Sequence, residues 1–363
     1  MAGTLKIGIV LHDFALGGTE RIATRLARAW ADRGAAVTIF CGSGEGEMRA
    51  LLGEEVRVIE AQPPLRRARG SRARLALAAA RHFSAESVDI CFLPGNFHWV
   101  IAPALGRIDP PARPAIVAQI SAALAKPQRG RAKQYLFEAR MRWLLRGAAA
   151  VIALSRHAER QAAAVLSRQI AHTIALPALA DAVRPPVPAP DNRTIVAVGR
   201  LVPEKGFDTL IDAIALVPGS DLVIVGEGPD RARLEARVAA RGLADRVALP
   251  GYAADPRPWL DATRLAALPS RFEGYPAVLV EALAAGRPVV ATDCTPATGE
   301  LIDVASGRIV PIDDARAMAL AIEAMLGSPP PDPAELAARV QHHRIGPVAD
   351  AYLALFARLA AER

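Results

Sequence analysis

The sequence predicts an α/β protein made of two doubly wound, Rossmann-like domains on parallel sheets. Three observations carry that prediction. The chain opens with strand, glycine turn, amphipathic helix and strand over residues 5–41, the entry of a parallel sheet. The same order begins afresh at Thr194, after a proline-dense stretch from about Leu176 to Asn192 that reads as an interdomain linker. At 363 residues the chain is also long for one core. The expected domains are residues 1–180 and 181–345, followed by an amphipathic terminal helix over 346–363.

Taken in order, the first strand is Leu5–Leu11, followed by His12-Asp-Phe-Ala-Leu-Gly-Gly-Thr-Glu20 and a helix that Gly34 closes. Gly17 and Gly18 let backbone approach a ligand at the strand's C-terminal end. Ala36–Cys41, Glu55–Glu60, Ser87–Leu93, Ala115–Ile120 and Ala148–Leu154 are the next strands, and Ser155 is placed to cap the helix after the last of them. In the second domain, strands at Thr194–Val198, Leu222–Val225 and Arg246–Tyr252 lead to the apolar run Arg264–Pro269. A tight loop with Glu273 and Gly274 comes next, then a helix from about Pro276 to Ala285, Gly286 as its stop, and a strand at Pro288–Thr292. Pro276 suits a first helical position and Tyr275 cannot cap it. The N–H groups of Ala277 and Val278 are therefore expected to point, with the helix dipole, at whatever lies above the strand ends; a diphosphate would satisfy them.

Composition narrows the function. No apolar run approaches the ~18 residues of a membrane span, and Met1–Val10 enters a strand directly instead of laying out a signal peptide. The three cysteines, Cys41, Cys91 and Cys294, are odd in number and far apart, as buried thiols in a reducing compartment would be. A cytoplasmic protein is expected. Residues 1–185 hold 26 Lys and Arg against 14 Asp and Glu, a net +12, whereas the remainder holds 18 against 23, a net −5. The basic half should meet an acidic partner. Arg66, Arg67, Arg69, Arg72 and Arg74 crowd one short run, and Lys126, Arg129, Arg131, Lys133, Arg140, Arg142 and Arg146 extend the basic character. Such a run is either a solvated helix face or a peripheral contact with the inner face of an anionic membrane, at ~1 kcal/mol per cation. Nucleic acid is disfavoured, because little aromatic interleaving accompanies the charge. Gly226-Glu227-Gly228 would begin a dinucleotide fingerprint, but Arg231 stands where its third glycine belongs.

Glu273 and Glu281, with seven residues between them, lie in the string Ser270–Thr292, which Asp293–Glu300 continues. That string resembles the signature of the retaining glycosyltransferases of family 4. Gly199-Arg200-Leu-Val-Pro-Glu-Lys205-Gly resembles the family's second signature, in which the arginine and the lysine grip a donor diphosphate. The likeness runs along nearly the whole chain, strongest from Val198 to Glu300 and thin from Glu45 to Arg146. It implies the GT-B fold: two Rossmann-like domains facing across a cleft, with the C-terminal helix crossing back to the first. It also implies sugar transfer with retention from a nucleotide-diphosphate sugar, without metal or other cofactor, to a glycan or lipid-linked glycan of the cell envelope, lipopolysaccharide included.

Carried over residue by residue, Glu273, Arg200 and Lys205 are the catalytic candidates. Donor contacts fall to Gly17, Gly18, Arg200, Lys205, Gly251, Tyr252, Gly274, Tyr275, Ala277, Val278 and Glu281. A fixed guanidinium and a mobile ammonium at a strand end are chemically suited to two phosphates. On the acceptor side the chain departs from the family, for no histidine stands at Pro94 or at Ile120–Ser121. Asn96, His98, His12 and Asp13 are the nearby candidates, and for His98 a purely structural role competes. Other classes stay open: a GT-B-shaped binding or scaffold protein without transfer activity, or a nucleotide-sugar epimerase or phosphorylase of similar shape.

Overall fold

The computed structural model describes residues 4–122, 124–125, 129–182 and 184–363; Lys126 lies outside them. The chain divides into two compact units, Met1–Pro177 with Ile345–Arg363, and Ala178–Arg344.

The first unit is a seven-stranded parallel sheet. Its elements are β1 (Lys6–Leu11), α1 (Gly18–Ala31), β2 (Ala36–Cys41), β3 (Arg57–Glu60), α2 (Ser71–Ala85), β4 (Ile90–Leu93), α3 (Ala102–Leu105), β5 (Ala115–Gln119), α4 (Gly130–Leu145), β6 (Ala150–Ala153), α5 (Arg156–Leu166) and β7 (Ala171–Thr173). The strand order is β3-β2-β1-β4-β5-β6-β7. β1 and β4 lie in the middle, and all but one of their residues are buried, as strands covered on both faces must be. Ser155 caps α5, its Oγ accepting the Ala158 N–H at 3.1 Å. The three-residue β7 is an addition to the strands read from sequence; Ala-His-Thr at a sheet edge offers neither length nor alternation to read.

The second unit holds β8 (Thr194–Val198), α6 (Phe207–Ala215), β9 (Asp221–Val225), α7 (Arg231–Ala240), β10 (Val247–Gly251), α8 (Arg257–Asp261), β11 (Leu265–Leu268), α9 (Ala277–Ala284), β12 (Val289–Thr292), α10 (Pro296–Leu301), β13 (Gly307–Val310), α11 (Ala315–Leu326) and α12 (Pro333–Ala338). Its six strands are parallel in the order β10-β9-β8-β11-β12-β13. β13 also escaped the sequence reading, because two of its four residues are exposed. The proline-dense stretch is pinned to this unit by Arg287. That side chain is fully buried and donates to the carbonyls of Val187 and Pro188.

The last helix, α13 (Ile345–Ala361), packs in the first unit on α1. Tyr352 and Phe356, both fully buried, close on Trp30 with ring centroids 5.5 and 5.2 Å away. Phe92 of β4 completes the cluster at 5.6 and 6.3 Å. The Tyr352 hydroxyl accepts from Gln119 Nε2 at 2.9 Å, so the helix is registered by a polar contact inside an apolar seam. Phe356→Ala should therefore destabilise the protein by about 3–5 kcal/mol, read as a fall in the midpoint of chemical unfolding. A loss below about 1 kcal/mol would mean that the seam repacks around the vacancy.

Candidate functional site

In each sheet the chain reverses direction of growth once, between β1 and β4 and between β8 and β11. Ligands of open α/β sheets bind at the C-terminal strand ends beside such a point. In the second unit two loops meet there, residues 199–206 after β8 and 269–276 after β11.

Gly206 makes the meeting possible. Its φ is +63°, and a Cβ would fall well inside contact with the Pro269 carbonyl oxygen. Arg271 then ties the loops together. Its backbone N–H donates to Glu204 O at 2.8 Å and its Nη1 to Pro203 O at 2.6 Å. Its guanidinium also pairs with Asp208 at 3.0 Å and Asp313 at 2.6 Å. Burial alone would raise the Asp208 carboxyl, but hydrogen bonds from Arg271 and Arg233 outweigh it and hold the group below the usual carboxylate range. The loop at 226–230 is laid along the other side of the β8 loop, with Leu201 N–H donating to Glu227 O at 2.8 Å and Asp230 N–H to Leu201 O at 3.0 Å. A Cβ on Gly226 would strike the Gly199 carbonyl. The Gly-x-Gly sequence thus serves loop-on-loop packing.

This framework brings Lys205 and Glu273 into direct contact, Nζ to Oε1 at 2.6 Å. Ser270 Oγ donates to the same oxygen at 2.8 Å. Ser270 is itself held by Thr292, whose Oγ1 donates to the Ser270 carbonyl at 2.5 Å. Lys205 and Glu273 keep only 23 % and 12 % of their side-chain surface exposed, so the pair is weakly screened. Arg200 sits on the same loop, exposed, and its guanidinium has no hydrogen-bond or ion-pair partner among the described residues.

At the mouth of α9 the expectation needs a correction. Pro276 lies before the helix with φ −84° and ψ 75°, the centre of an inverse γ-turn. The Ala277 N–H consequently donates to Tyr275 O at 3.0 Å and is not free for a ligand. For the Val278 N–H no hydrogen bond is found among the described residues. Gly274 and Tyr275 lie in the same loop, and the Tyr275 hydroxyl meets His343 Nε2 at 3.1 Å. Glu281 is half-buried farther along α9. Gly251 ends the edge strand β10, two strands from β8; Tyr252, 60 % exposed, follows it.

In the first unit, the loop after β1 carries Asp13 and Gly17, and Gly18 opens α1. Arg67 staples both ends of that loop, donating to Asp13 at 2.5 and 2.9 Å and to Glu20 at 2.7 Å. Burial opposes the charge on Asp13, yet Arg67 keeps its carboxyl low. A Cβ on Gly18 would meet no protein atom within 4 Å. His98 is buried with both ring nitrogens engaged: Nδ1 with Pro94 O at 2.6 Å, and Nε2 with the His12 N–H at 3.3 Å. Burial lowers its pKa to about 4. It is a neutral strut of the fold, with no nitrogen left for an acceptor. Asn96 is spent on Ser121, its Oδ1 accepting that residue's N–H at 2.8 Å. His12 is fully buried, with Nε2 2.8 Å from Ser71 Oγ and Nδ1 3.4 Å from Asp13. Ser71, Ser270 and Arg271 are contributors to which the sequence assigned no role, and Arg67, expected in a basic surface run, instead holds the glycine loop.

Comparison with known proteins bears on both halves of the chain. A family model described as Glycosyl transferase 4-like domain matches residues 17–178, and one described as Glycosyl transferases group 1 matches residues 192–328. The lipopolysaccharide core biosynthesis glycosyltransferase LpsE of Rhizobium meliloti is 36 % identical over 133 residues, 37 % of this chain and 39 % of that protein. The alpha-D-kanosaminyltransferase of Streptomyces kanamyceticus is 37 % identical over 146 residues, 38 % of each chain. The matched stretch thus spans about two fifths of these relatives' length. Among solved structures, Anabaena HepE in complex with UDP and glucose superposes with TM-score 0.78 at 21 % identity, over 98 % of this chain and all of the other. The sucrose-phosphate synthase of Thermosynechococcus elongatus gives 0.81 at 21 %, over 99 % and 100 %. The fold is that of GT-B proteins.

The Arg271 clamp makes a measurable demand. A carboxylate whose folded-state pKa is depressed stabilises the protein above its unfolded pKa, and that stabilisation disappears as pH falls through the folded value. Arg271→Met should cost about 1–3 kcal/mol near neutral pH, and its deficit against wild type should shrink as pH falls below roughly 4. Unfolding curves across that range test it; a deficit that does not change with pH would overturn the assignment.

Proposed function

With glycosyltransferase domain models matching both halves of a GT-B chain, we propose that the protein transfers a sugar, with retention, from a nucleotide-diphosphate sugar to a glycan or lipid-linked acceptor. The observation that carries the reading is the Lys205–Glu273 pair at the switch point of the second unit, beside the exposed Arg200. The diphosphate draws on Arg200 and Lys205 and on the Val278 N–H at the mouth of α9. Gly274 and Tyr275 border it, and Glu281 accepts from the ribose. Gly251 and Tyr252 line the base. In the first unit the space open at Gly18 leaves room for backbone to approach a ligand, the use read for Gly17 and Gly18 from the sequence.

In the reaction the bond from the anomeric carbon to the phosphate oxygen breaks as a bond to the acceptor oxygen forms on the same face. The departing phosphate takes the acceptor's proton. Charge on the leaving diphosphate grows in the transition state, and cations beside it offset that charge. Arg200 and Lys205 supply those charges, so chelators should not slow the reaction. Glu273 keeps Lys205 oriented through Oε1 and offers Oε2 to the sugar, where it stabilises positive charge developing at the anomeric carbon. The acceptor's cell-envelope origin is supported by similarity to a lipopolysaccharide core biosynthesis glycosyltransferase.

Two measurements test these roles. Charge-assisted hydrogen bonds contribute ~1.5–3 kcal/mol, so Arg200→Ala and Lys205→Ala should each weaken calorimetric binding of a nucleoside diphosphate roughly ten- to a hundredfold. Unchanged affinity in both would sink the diphosphate assignment. The two glutamates should separate: Glu281→Gln weakens both the bare nucleotide and the nucleotide sugar, whereas Glu273→Gln spares the bare nucleotide and lowers kcat. Equal loss of bare nucleotide in the two variants contradicts the division. A wild-type protein that neither transfers nor hydrolyses any nucleotide sugar would instead mark a binding protein of the same shape.

A further inference from the structure

The solvent side of α4 is not a polar face. Tyr135 and Leu136 each keep 65 % of their surface exposed and Trp143 keeps 50 %, while Met141, Leu144 and Leu145 of the same helix enter the core. At about 100° per residue, Leu136 and Trp143 lie within ~20° of one another round the helix, with Tyr135 on one flank. Lys133 and Arg140 flank this ridge on one side and Arg146 on the other, with Arg131 one turn before Tyr135, all exposed, and the Arg146 guanidinium stands 5.5 Å from the Trp143 ring. The one carboxylate of the helix, Glu138, is half-buried about 200° away from Leu136 and accepts from Gln134 at 2.8 Å. No helix among the described residues is long and apolar enough to cross a membrane.

An apolar ridge ringed by cations matches the two layers of an anionic lipid surface. The rings and the leucine fit the headgroup boundary and the cations fit the phosphates. A second copy of the chain is a poor occupant, because a two-fold contact would set these four cations against four more. We propose that this face of α4 docks the protein onto membranes containing anionic phospholipid. The basic run at 66–74, read from sequence as the candidate patch, is largely committed elsewhere: Arg66 to Glu45, Arg67 to Asp13 and Glu20, and Arg72 over the Phe97 ring at 4.8 Å. The docking proposal stands apart from the transfer reading and survives its failure.

The test is flotation of the full chain with phosphatidylcholine vesicles made with and without phosphatidylglycerol. The protein should float with the anionic vesicles at low salt and release as salt rises. Leu136→Ser with Trp143→Ser, and separately Lys133→Glu with Arg140→Glu, should each weaken binding at least about tenfold. Arg69→Glu with Arg74→Glu should leave it unchanged. All these side chains are exposed, so thermal midpoints should match wild type and loss of fold cannot mimic the result. Three outcomes overturn the proposal: no flotation of wild type at low salt, flotation indifferent to the α4 substitutions, or a solution dimer that Trp143→Ser abolishes.

Discussion

The close approach of two backbones at Gly206 and Pro269 is the constraint on which the second unit's site depends. Any side chain at Gly206 would push the β8 loop away from the β11 loop, and the 2.6 Å contact between Lys205 and Glu273 would open. The rest of the local structure defends that approach. Arg271 fastens one loop to the other through backbone carbonyls and carboxylates, and the 226–230 segment backs the β8 loop from its far side. A preorganised charge pair needs such a scaffold, since a long lysine side chain otherwise loses much rotamer freedom to hold one position.

The first unit solves the same problem with a different part. Its glycine loop has few side chains of its own to hold it, and Arg67 reaches in from the segment before α2 to grip Asp13 and Glu20. In both units an arginine converts a mobile loop at strand ends into a fixed one. The planar fork of the guanidinium suits that task better than an ammonium, because it can satisfy two acceptors at set angles.

What the sequence made legible follows from distance along the chain. Arg200 with Lys205, and Glu273 with Tyr275 and Glu281, lie within two short strings, and residues so close together keep their pattern. The pairing of Lys205 with Glu273 spans 68 positions and shows in neither string. Arg271 lies inside the Ser270–Thr292 string, but its partners Asp208 and Asp313 are 63 and 42 residues away, so nothing local marks it as the clamp. Arg67 was hidden among neighbours of equal charge for the same reason. At Pro276 the error was one of turn chemistry: a proline before a helix can fold the chain into a γ-turn that consumes the N–H expected to be free. The parallel sheets themselves were readable because their central strands are apolar throughout, whereas β7 and β13 are too short or too exposed to leave a trace.

The three thiols give the molecule an internal gauge. Cys41 ends β2 and Cys91 lies within β4 of the first unit, while Cys294 follows β12 in the second; all are buried and unpaired. Burial lifts Cys41 to about 12 and Cys294 to about 11, and raises Cys91 as well. None is a thiolate while its surroundings stay closed, and only the thiolate reacts. Alkylation therefore waits on opening of the sheet around each sulfur. With two reporters in one unit and one in the other, the order in which the sulfurs yield to a reagent ranks the two folding units by their resistance to opening.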